Sequence, residues 1–299
     1  TEHACLTAQA LITSAGEAGA FARQLARRLR FWLLGLPLGT GRATLKATLK
    51  LWLGFPPSRS GVFSAGNGPA MRAPILGVCA GHDPPRLREL VRVSTRITHT
   101  DPKAEYGAYA AALAAHAFAD PSTPVSPDAF RQRLRDDLGE EANELHTLIR
   151  LAAESAAAGA GTEEFAASLG LRRGVSGYVY HTVPVALHTA WRHPDDFRAA
   201  VEAAVRCGGD TDSVAAIVGG MVGARVGRAG LPADWLGGLW EWPRTAGWME
   251  RLGQRLAEVL GKGEPAQALP INPLGLLARN LLFDLLVLAH ALRRLLPPY

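Results

Sequence analysis

The stretch AEYGAYAAALAAHAFA at residues 104–119 decides the fold class of this chain. Alanine, which dominates the stretch, has the highest helix propensity of the twenty amino acids. The larger apolar side chains recur at helical spacing and lie near one face: Tyr106, Tyr109, Leu113 and Phe118. Residues 104–119 therefore predict a long helix.

The segments on either side of this stretch are helical in pattern as well. Residues 141–158 repeat Leu145, Leu148 and Ile149 at helical spacing. Residues 197–205 place apolar side chains four apart, and the glycine pair at 208–209 then ends the pattern. Alternating runs of the β type are nearly absent. We predict an all-α fold.

The length of 299 residues allows one or two domains. Breaks rich in glycine and proline fall between the predicted helices, yet none is long or polar enough for an interdomain linker. We therefore predict a single helical domain over residues 1–299. Within it, residues 262–299 are predicted to form a C-terminal helical appendage.

The composition indicates a folded protein of a reducing compartment. Apolar residues make up 48% of the chain and charged residues 20%, which excludes a disordered or fibrous chain. Cys5, Cys79 and Cys207 are too few and too scattered for a disulfide framework or a cysteine-based zinc site. Because no signal-peptide pattern is visible, we expect a cytoplasmic protein.

Positive charge is concentrated near the start of the chain, although the net charge is only +5. Residues 23–50 contain seven Lys or Arg residues and no Asp or Glu. A solvated helix face is the simplest interpretation. The alternative is a membrane- or nucleic-acid-associated protein that uses this block together with Trp32 and Trp52. No zinc knuckle or aromatic-interleaved basic repeat accompanies the block, so we expect no nucleic-acid partner.

The most apolar stretch of the chain is residues 274–296. Polar side chains interrupt it at four positions: Arg279, Asn280, Asp284 and His290. We therefore predict a packed terminal helix here and no transmembrane segment.

The segment RCGGDTDS at residues 206–213 is the most informative about chemistry. A helix is predicted to end at the glycines, and Asp210 and Asp212 follow on a tight turn where alternate side chains can converge. Hard cations such as Mg²⁺ and Mn²⁺ prefer carboxylate oxygens, and Ser213 or Thr211 can add a hydroxyl. The alternative is that Asp212 only caps the following helix.

The segment SAGNGPAMR at residues 64–72 is a candidate anion-binding loop. Gly66 and Gly68 free the backbone for a turn whose N–H groups can converge on a phosphate. The proline that follows suits the first position of a helix, and Asn67 can hydrogen-bond a sugar or an amide. The alternative is a plain turn before a core helix, with Arg72 in a structural ion pair.

Two shorter segments supply candidate pocket residues. His99 lies in THTDP at residues 98–102, just ahead of a predicted helix start, and can point its imidazole into a cleft. Tyr178 lies in GYVYHT at residues 177–182, where an aromatic ring beside a glycine can line a pocket. A structural role in the core is the alternative for both.

Together these segments resemble the ADP-ribosylglycohydrolase family, which includes the dinitrogenase-reductase-activating glycohydrolases and the ADP-ribosylarginine hydrolases. The family pattern has an S/T-D-D-T-E element, a G-N-G-x-x-M-R loop, a T-H-x-x-P segment, a G-Y/F-V segment and a G-G-D-T-D-T/S turn. The matching residues occur here in the same order: Thr1-Glu2-His3, 66–72, 98–102, 177–179 and 208–213. The resemblance runs from residue 1 to about residue 226.

The resemblance implies an orthogonal multi-helix bundle around two Mg²⁺ or Mn²⁺ ions. It also implies hydrolysis of the N- or O-glycosidic bond that links an ADP-ribosyl group to a protein or a small molecule. The implied metal ligands are Thr1, Asp210, Asp212 and Ser213, of which Asp210 and Asp212 are also the implied catalytic residues. The implied substrate-binding residues are Ser64, Gly66, Asn67, Gly68, Met71, His99, Tyr178 and Thr211.

The sequence departs from the family pattern at its first residue. Two adjacent aspartates precede the matching threonine in the family, and a G-D element comes earlier still, whereas this sequence starts at Thr1. We therefore expect this form to be weakly active or inactive, and a preceding T-D-D or S-D-D to raise its Mn²⁺ affinity. The competing interpretation is a non-catalytic protein of this fold, with a binding or structural role, inactivated by loss of these aspartates.

Overall fold

The structure, a computed structural model, describes residues 1–295 of the chain. Over this range it consists of α-helices joined by loops and short 3₁₀ turns, without a β-strand. The helices are α1 Glu2–Ser14, α2 Ala18–Trp32, α3 Arg42–Trp52, α4 Pro57–Ser60, α5 Pro74–Ala80, α6 Pro84–Arg96, α7 Pro102–Phe118, α8 Pro127–Leu138, α9 Asn143–Ala157, α10 Thr162–Ser168, α11 Val179–Arg192, α12 Phe197–Arg206, α13 Thr211–Val226, α14 Ala233–Gly238, α15 Ala246–Lys262 and α16 Pro273–Leu295. The predicted all-α fold is confirmed.

The alanine-rich stretch forms α7, the helix at the centre of the molecule. Its small side chains are buried on nearly every side, as shown by Ala110, Ala112 and Ala115. Because alanine projects only one methyl group, α5, α6, α11 and α13 can all pack closely around this helix. The helix begins at Pro102, where the Asp101 carboxylate accepts a hydrogen bond from Lys103 N at 2.9 Å.

The chain after α13 returns to the first helix. Helix α15 packs on α1, and the segment that follows it is bonded to the same helix. Ala266 N donates to the carbonyl of Ile12 at 3.0 Å, and the Gln9 amide exchanges two hydrogen bonds of 2.9 Å with the Leu269 backbone. Residues up to about 271 therefore share one apolar core with the rest of the fold.

Helix α16 corrects the prediction of a packed terminal helix. Leu285 and Leu288 are 64% and 55% exposed, and only 6% of its most apolar eighteen-residue stretch is buried. Two of its polar residues, rather than its apolar ones, attach the helix to the rest of the fold. Arg279 pairs with Glu241, and Asn280 donates to the carbonyl of Gly35 at 2.6 Å.

By length and composition α16 is also able to cross a membrane, so the absence of a transmembrane segment stays a prediction. That prediction rested on the polar interruptions. Two charged residues within eighteen positions are too few to exclude a span. Residues 296–299 of the predicted appendage lie outside the described residues.

Candidate active site

A cavity of about 450 Å³ opens where the loops that carry the four sequence motifs meet. Isolated main-chain pairs of the β-bridge type join these loops: Val62 with His99, Gly66 with Tyr178, and Val175 with Gly209. Asp210 N donates to the carbonyl of Val175 at 2.7 Å, and Asn67 N donates to the carbonyl of Gly177 at 2.9 Å. Main-chain hydrogen bonds thus fix the positions of loops that are far apart in sequence.

Ten of the twelve predicted site residues line this cavity: Thr1, Ser64, Gly66, Asn67, Gly68, Met71, His99, Asp210, Asp212 and Ser213. Thr211 and Tyr178 do not line it. The backbone beside Tyr178 pairs with the 65–67 loop, while its hydroxyl accepts a hydrogen bond of 3.1 Å from Lys103 and lies 3.3 Å from a Glu144 carboxylate oxygen. The ring of Tyr178 therefore belongs to a polar cluster beside the cavity.

Asp210 and Asp212 bring two negative charges to one wall of the cavity. Asp210 occupies the N-cap position of α13, so Asp212 lies in the first turn and is not the cap. Asn67 Nδ2 donates to Asp210 at 2.7 Å and to the Thr182 hydroxyl at 2.9 Å, which orients the first carboxylate. No Lys or Arg pairs with either aspartate among the described residues.

Burial and the adjacent carboxylate of Asp210 both raise the pKa of Asp212. The chain therefore keeps two like charges together without a cationic side chain to balance them. A bound cation balances such a pair, and oxygen donors on a tight turn are the donors that hard cations prefer.

Gly208 and Gly209 shape the turn that carries these aspartates. Their φ angles are +68° and +75°, in the left-handed region that strongly favours glycine. A Cβ at Gly209 would overlap the backbone of Val175, to which the turn is bonded. The glycine pair therefore allows both the reversal of the chain and its close approach to the 175–177 loop.

His99 is an uncharged donor or acceptor at the cavity wall. Burial, reinforced by the charge of Arg72, lowers the pKa of His99 to about 3. Its Nδ1 lies 2.9 Å from the Thr98 hydroxyl, which itself accepts a hydrogen bond from Arg72. The Thr98 hydroxyl also lies 3.4 Å from the Thr95 carbonyl, so its single proton has two acceptors within reach, and it links the His99 ring to the Arg72 guanidinium in either tautomer of the ring.

The glycines of the GNG loop are needed because His99 lies against them. A Cβ at Gly66 would lie 2.9 Å from His99 Nε2, and one at Gly68 would lie 3.0 Å from His99 Cε1. The N–H groups of Gly66 and Gly68 donate to no acceptor among the described residues. They are therefore available to a ligand, as the sequence pattern predicted for a phosphate-binding loop.

Arg72 is fully buried and holds the GNG loop to α6. Its guanidinium donates to the carbonyl of Ser94 at 2.7 Å, to the Ser94 hydroxyl at 3.1 Å and to the Thr98 hydroxyl at 2.9 Å. Burial lowers the pKa of Arg72 to about 10, which leaves it charged at neutral pH. No carboxylate pairs with it among the described residues, so the structural ion pair considered from the sequence is not present.

A family model described as ADP-ribosylglycohydrolase matches residues 1–266. This chain belongs to the ADP-ribosylglycohydrolase family. A solved structure described as an ADP-ribosylglycohydrolase-related protein complex superposes with a TM-score of 0.62 at 26% identity, covering 87% of this chain and 80% of that one. The family resemblance and the predicted helical bundle are thereby confirmed.

Two sequence relatives agree with this assignment. An uncharacterised protein of Archaeoglobus fulgidus is 31% identical over 235 residues, which is 78% of this chain and 72% of that protein. The ADP-ribosylarginine hydrolase Tri1 of Serratia proteamaculans is 38% identical over 77 residues, which is 26% of this chain and 21% of that protein. Family membership supports glycosidase activity on ADP-ribose conjugates in general.

Several further residues that the sequence motifs did not identify line this ADP-ribosylglycohydrolase cavity. Glu2, His3, Trp32 and the loop at residues 38–44 all line it. Trp32 Nε1 donates to Glu2 at 2.7 Å, and the His3 and Trp32 rings meet edge to face with centroids 4.6 Å apart. The 38–44 loop had a readable signal, because its LGTGRAT is a glycine-rich turn ahead of a helix, like the GNG loop.

The G66A substitution is expected to displace the His99 ring, because the added methyl would meet Nε2 at 2.9 Å. We expect a loss of about 1–3 kcal/mol in the free energy of unfolding. ADP-ribose binding is expected to weaken about tenfold. Thermal melts and calorimetric titration with ADP-ribose measure the two effects. G253A, in open space inside α15, is the control and should be as stable as wild type or slightly more stable. Unchanged ADP-ribose affinity in G66A would contradict the placement of His99.

Acid unfolding is expected to report the neutral state of His99. Because its folded pKa of about 3 lies below the ordinary 6.5, the stability it contributes is present above pH 6.5 and is lost as pH falls toward 3. The H99Q variant should therefore show a shallower acid limb, by up to about 1.4 kcal/mol per pH unit. Urea unfolding between pH 7 and pH 4 measures this slope, with the exposed His82 changed in H82Q as the control. Identical slopes in H99Q and wild type would contradict a buried neutral ring.

Proposed function

We propose that this protein hydrolyses the N- or O-glycosidic bond between an ADP-ribosyl group and its carrier, with a divalent cation bound at Asp210 and Asp212. The observation that supports this most strongly is the uncompensated carboxylate pair in the cavity that also contains the GNG loop. The carrier is an ADP-ribosylated protein or a small-molecule conjugate of ADP-ribose. Leaving-group recognition belongs to the loops around the cavity.

The oxygen donors present suit one hard cation. Asp210 and Asp212 supply carboxylates, and Ser213 and Thr1 can supply hydroxyls. Mg²⁺ and Mn²⁺ accept such a set and keep water at the remaining positions. When bound, the cation would polarise ribose oxygens and lower the pKa of an attached water.

The two-ion site implied by the sequence resemblance needs more carboxylates than this cavity offers. Over residues 1–295, no group of three or more His, Cys, Asp or Glu side chains is arranged to hold a metal. Glu2 also lines the cavity, but it pairs with Arg244 and accepts a hydrogen bond from Trp32. We therefore propose one cation at the described residues.

The remaining cavity residues would bind and orient the ADP-ribosyl group. The N–H groups of Gly66 and Gly68 would donate to its phosphates, since they have no acceptor among the described residues. His99 would hydrogen-bond to the ADP-ribosyl group through its neutral imidazole, without adding charge. Asn67 would act as a positioning residue, because its amide nitrogen already donates hydrogen bonds to Asp210 and Thr182.

The direct test is a hydrolysis panel of arginine-linked, serine-linked and nucleic-acid-linked ADP-ribose, each with Mn²⁺, Mg²⁺ or EDTA. We expect release of ADP-ribose from at least one conjugate in Mn²⁺ or Mg²⁺ and none in EDTA. A protein that neither binds ADP-ribose nor releases it from any conjugate would overturn the proposal.

Of the three carboxylates that line the cavity, Glu2 is paired with Arg244, which leaves two for a cation. This supports a second candidate, a non-catalytic protein that binds ADP-ribose. Such a protein would titrate with ADP-ribose in calorimetry equally well with Mn²⁺ or EDTA, and it would release nothing from any conjugate. The same panel therefore separates the two functions.

A further inference from the structure

An exposed apolar surface surrounded by cations lies beside the proposed active site. We call it the basic apolar face and define it as residues 31–55 together with α16. Large apolar side chains are exposed along its first part: Phe31, Leu34, Leu36, Leu38, Leu53 and Phe55. The most exposed of these six side chains is that of Leu53, at 78%. A soluble domain buries such side chains or uses them to bind a partner.

Helix α3 shows how charge and apolar side chains alternate on this face. Leu45, Leu49 and Trp52 recur at intervals of four and three residues and form one exposed stripe. Lys46 and Lys50 lie one position further along and form a neighbouring cationic stripe. This arrangement of apolar and basic stripes is typical of helices that lie in the interface of a membrane.

Helix α16 continues the same face. Its Asn280 is bonded to Gly35, which lies between the exposed Leu34 and Leu36. Four exposed leucines then follow one side of the helix at intervals of four, three and four residues: Leu281, Leu285, Leu288 and Leu292. Trp240, 81% exposed, precedes the Glu241 that pairs with α16, so it borders the same surface.

The charge around this face indicates which class of partner it can bind. Residues 31–55 and α16 together contain six Lys or Arg residues and one acid, Asp284. Residues 18–82 as a whole contain nine Lys or Arg residues and no Asp or Glu, and of these nine only Arg72 is buried. A second copy of the same face would oppose cations to cations. Nucleic acid would supply phosphates but no apolar phase for the leucines. An anionic bilayer supplies phosphates at its surface and an apolar phase directly beneath them.

We propose that the basic apolar face binds the surface of an anionic lipid bilayer. The leucines of α3 and α16 enter the boundary between headgroups and acyl chains, and Lys46 and neighbouring cations contact lipid phosphates. Trp52 and Trp240 lie at headgroup depth, where tryptophan is enriched in membrane proteins. This binding is independent of the proposed hydrolase activity.

Flotation with lipid vesicles tests the proposal on the intact chain. Wild-type protein should float with vesicles of equimolar phosphatidylcholine and phosphatidylglycerol, bind phosphatidylcholine vesicles at least tenfold more weakly, and lose affinity between about 0.05 and 0.5 M salt. The K46Q variant should bind about fivefold more weakly at low salt. The L285S/L288S variant should bind at least tenfold more weakly. L151S and R251Q, exposed positions on α9 and α15, are the matched controls and should bind as wild type does.

Circular dichroism and melting temperature verify that each variant is folded before its binding is compared. The proposal is overturned if wild type does not float with anionic vesicles, or if L285S/L288S binds as tightly as L151S. Salt-sensitive binding of an oligonucleotide without vesicle binding would overturn it in favour of nucleic acid. A dimer in solution that L285S/L288S abolishes, again without vesicle binding, would overturn it in favour of self-association.

Discussion

The D212N variant is expected to lose cation-dependent release of ADP-ribose by about a hundredfold or more. Asparagine has nearly the same shape, but it removes one of the two carboxylates that the cavity offers to a hard cation. Initial rates across a Mn²⁺ titration measure the loss. D128N, on the exposed first turn of α8, is the matched control and should keep the wild-type rate.

The D212N substitution is expected to lower activity without lowering stability. Without a cation, D212N should melt at a temperature equal to or higher than wild type, because it removes one of two adjacent negative charges. Added Mn²⁺ should stabilise wild type by mass action and leave D212N unchanged. A lower melting temperature for D212N in EDTA would show that Asp212 serves the fold, and it would contradict a cation site.

The R72M variant is expected to lose roughly 3 kcal/mol or more of unfolding free energy. Methionine fills part of the volume, but the Ser94 carbonyl and the Thr98 hydroxyl lose their buried donor, and each such unpaired group costs about 1–3 kcal/mol. Denaturant unfolding at pH 7 measures the effect, and R72K should fall between R72M and wild type because it keeps a donor. The R251Q change on the exposed surface of α15 is the control.

R72M is also expected to disturb the cavity. Thr98 links the Arg72 guanidinium to His99, so the ring should be held less firmly at the cavity wall when the guanidinium is removed. If R72M melts within about 1 °C of wild type, the hydrogen bonds of Arg72 do not hold the GNG loop to α6. That result would contradict the role assigned to this residue.

The fold was predictable from local patterns because its helices have strong and consistent sequence signals. The alanine-rich stretch of α7 and the proline and aspartate at its start fix the helix and its first residue. Most of the cavity was predictable for a different reason. The motif residues match one family in order, so the loops that contain them were expected to meet.

The remaining features depend on contacts that a linear pattern does not contain. Whether Tyr178 faces the cavity is decided by Lys103 and Glu144, which come from two other helices. The buried charge of Arg72 is stabilised by carbonyl and hydroxyl groups rather than by an acid. The exposure of α16 follows from where Asn280 and Arg279 are bonded, since an apolar helix has the same sequence pattern in a core and on a surface.

Cation-dependent hydrolysis at Asp210 and Asp212 is tested by the rate of ADP-ribose release by wild type and D210N across a Mn²⁺ titration, on whichever conjugate the hydrolysis panel selects. Asp210 is held by Asn67 and faces the cavity, so its carboxylate should be indispensable to the cation. We expect the wild-type rate to rise with Mn²⁺ to saturation and the D210N rate to stay at background. Equal rates in D210N and wild type, or a wild-type rate unchanged by EDTA, would contradict it.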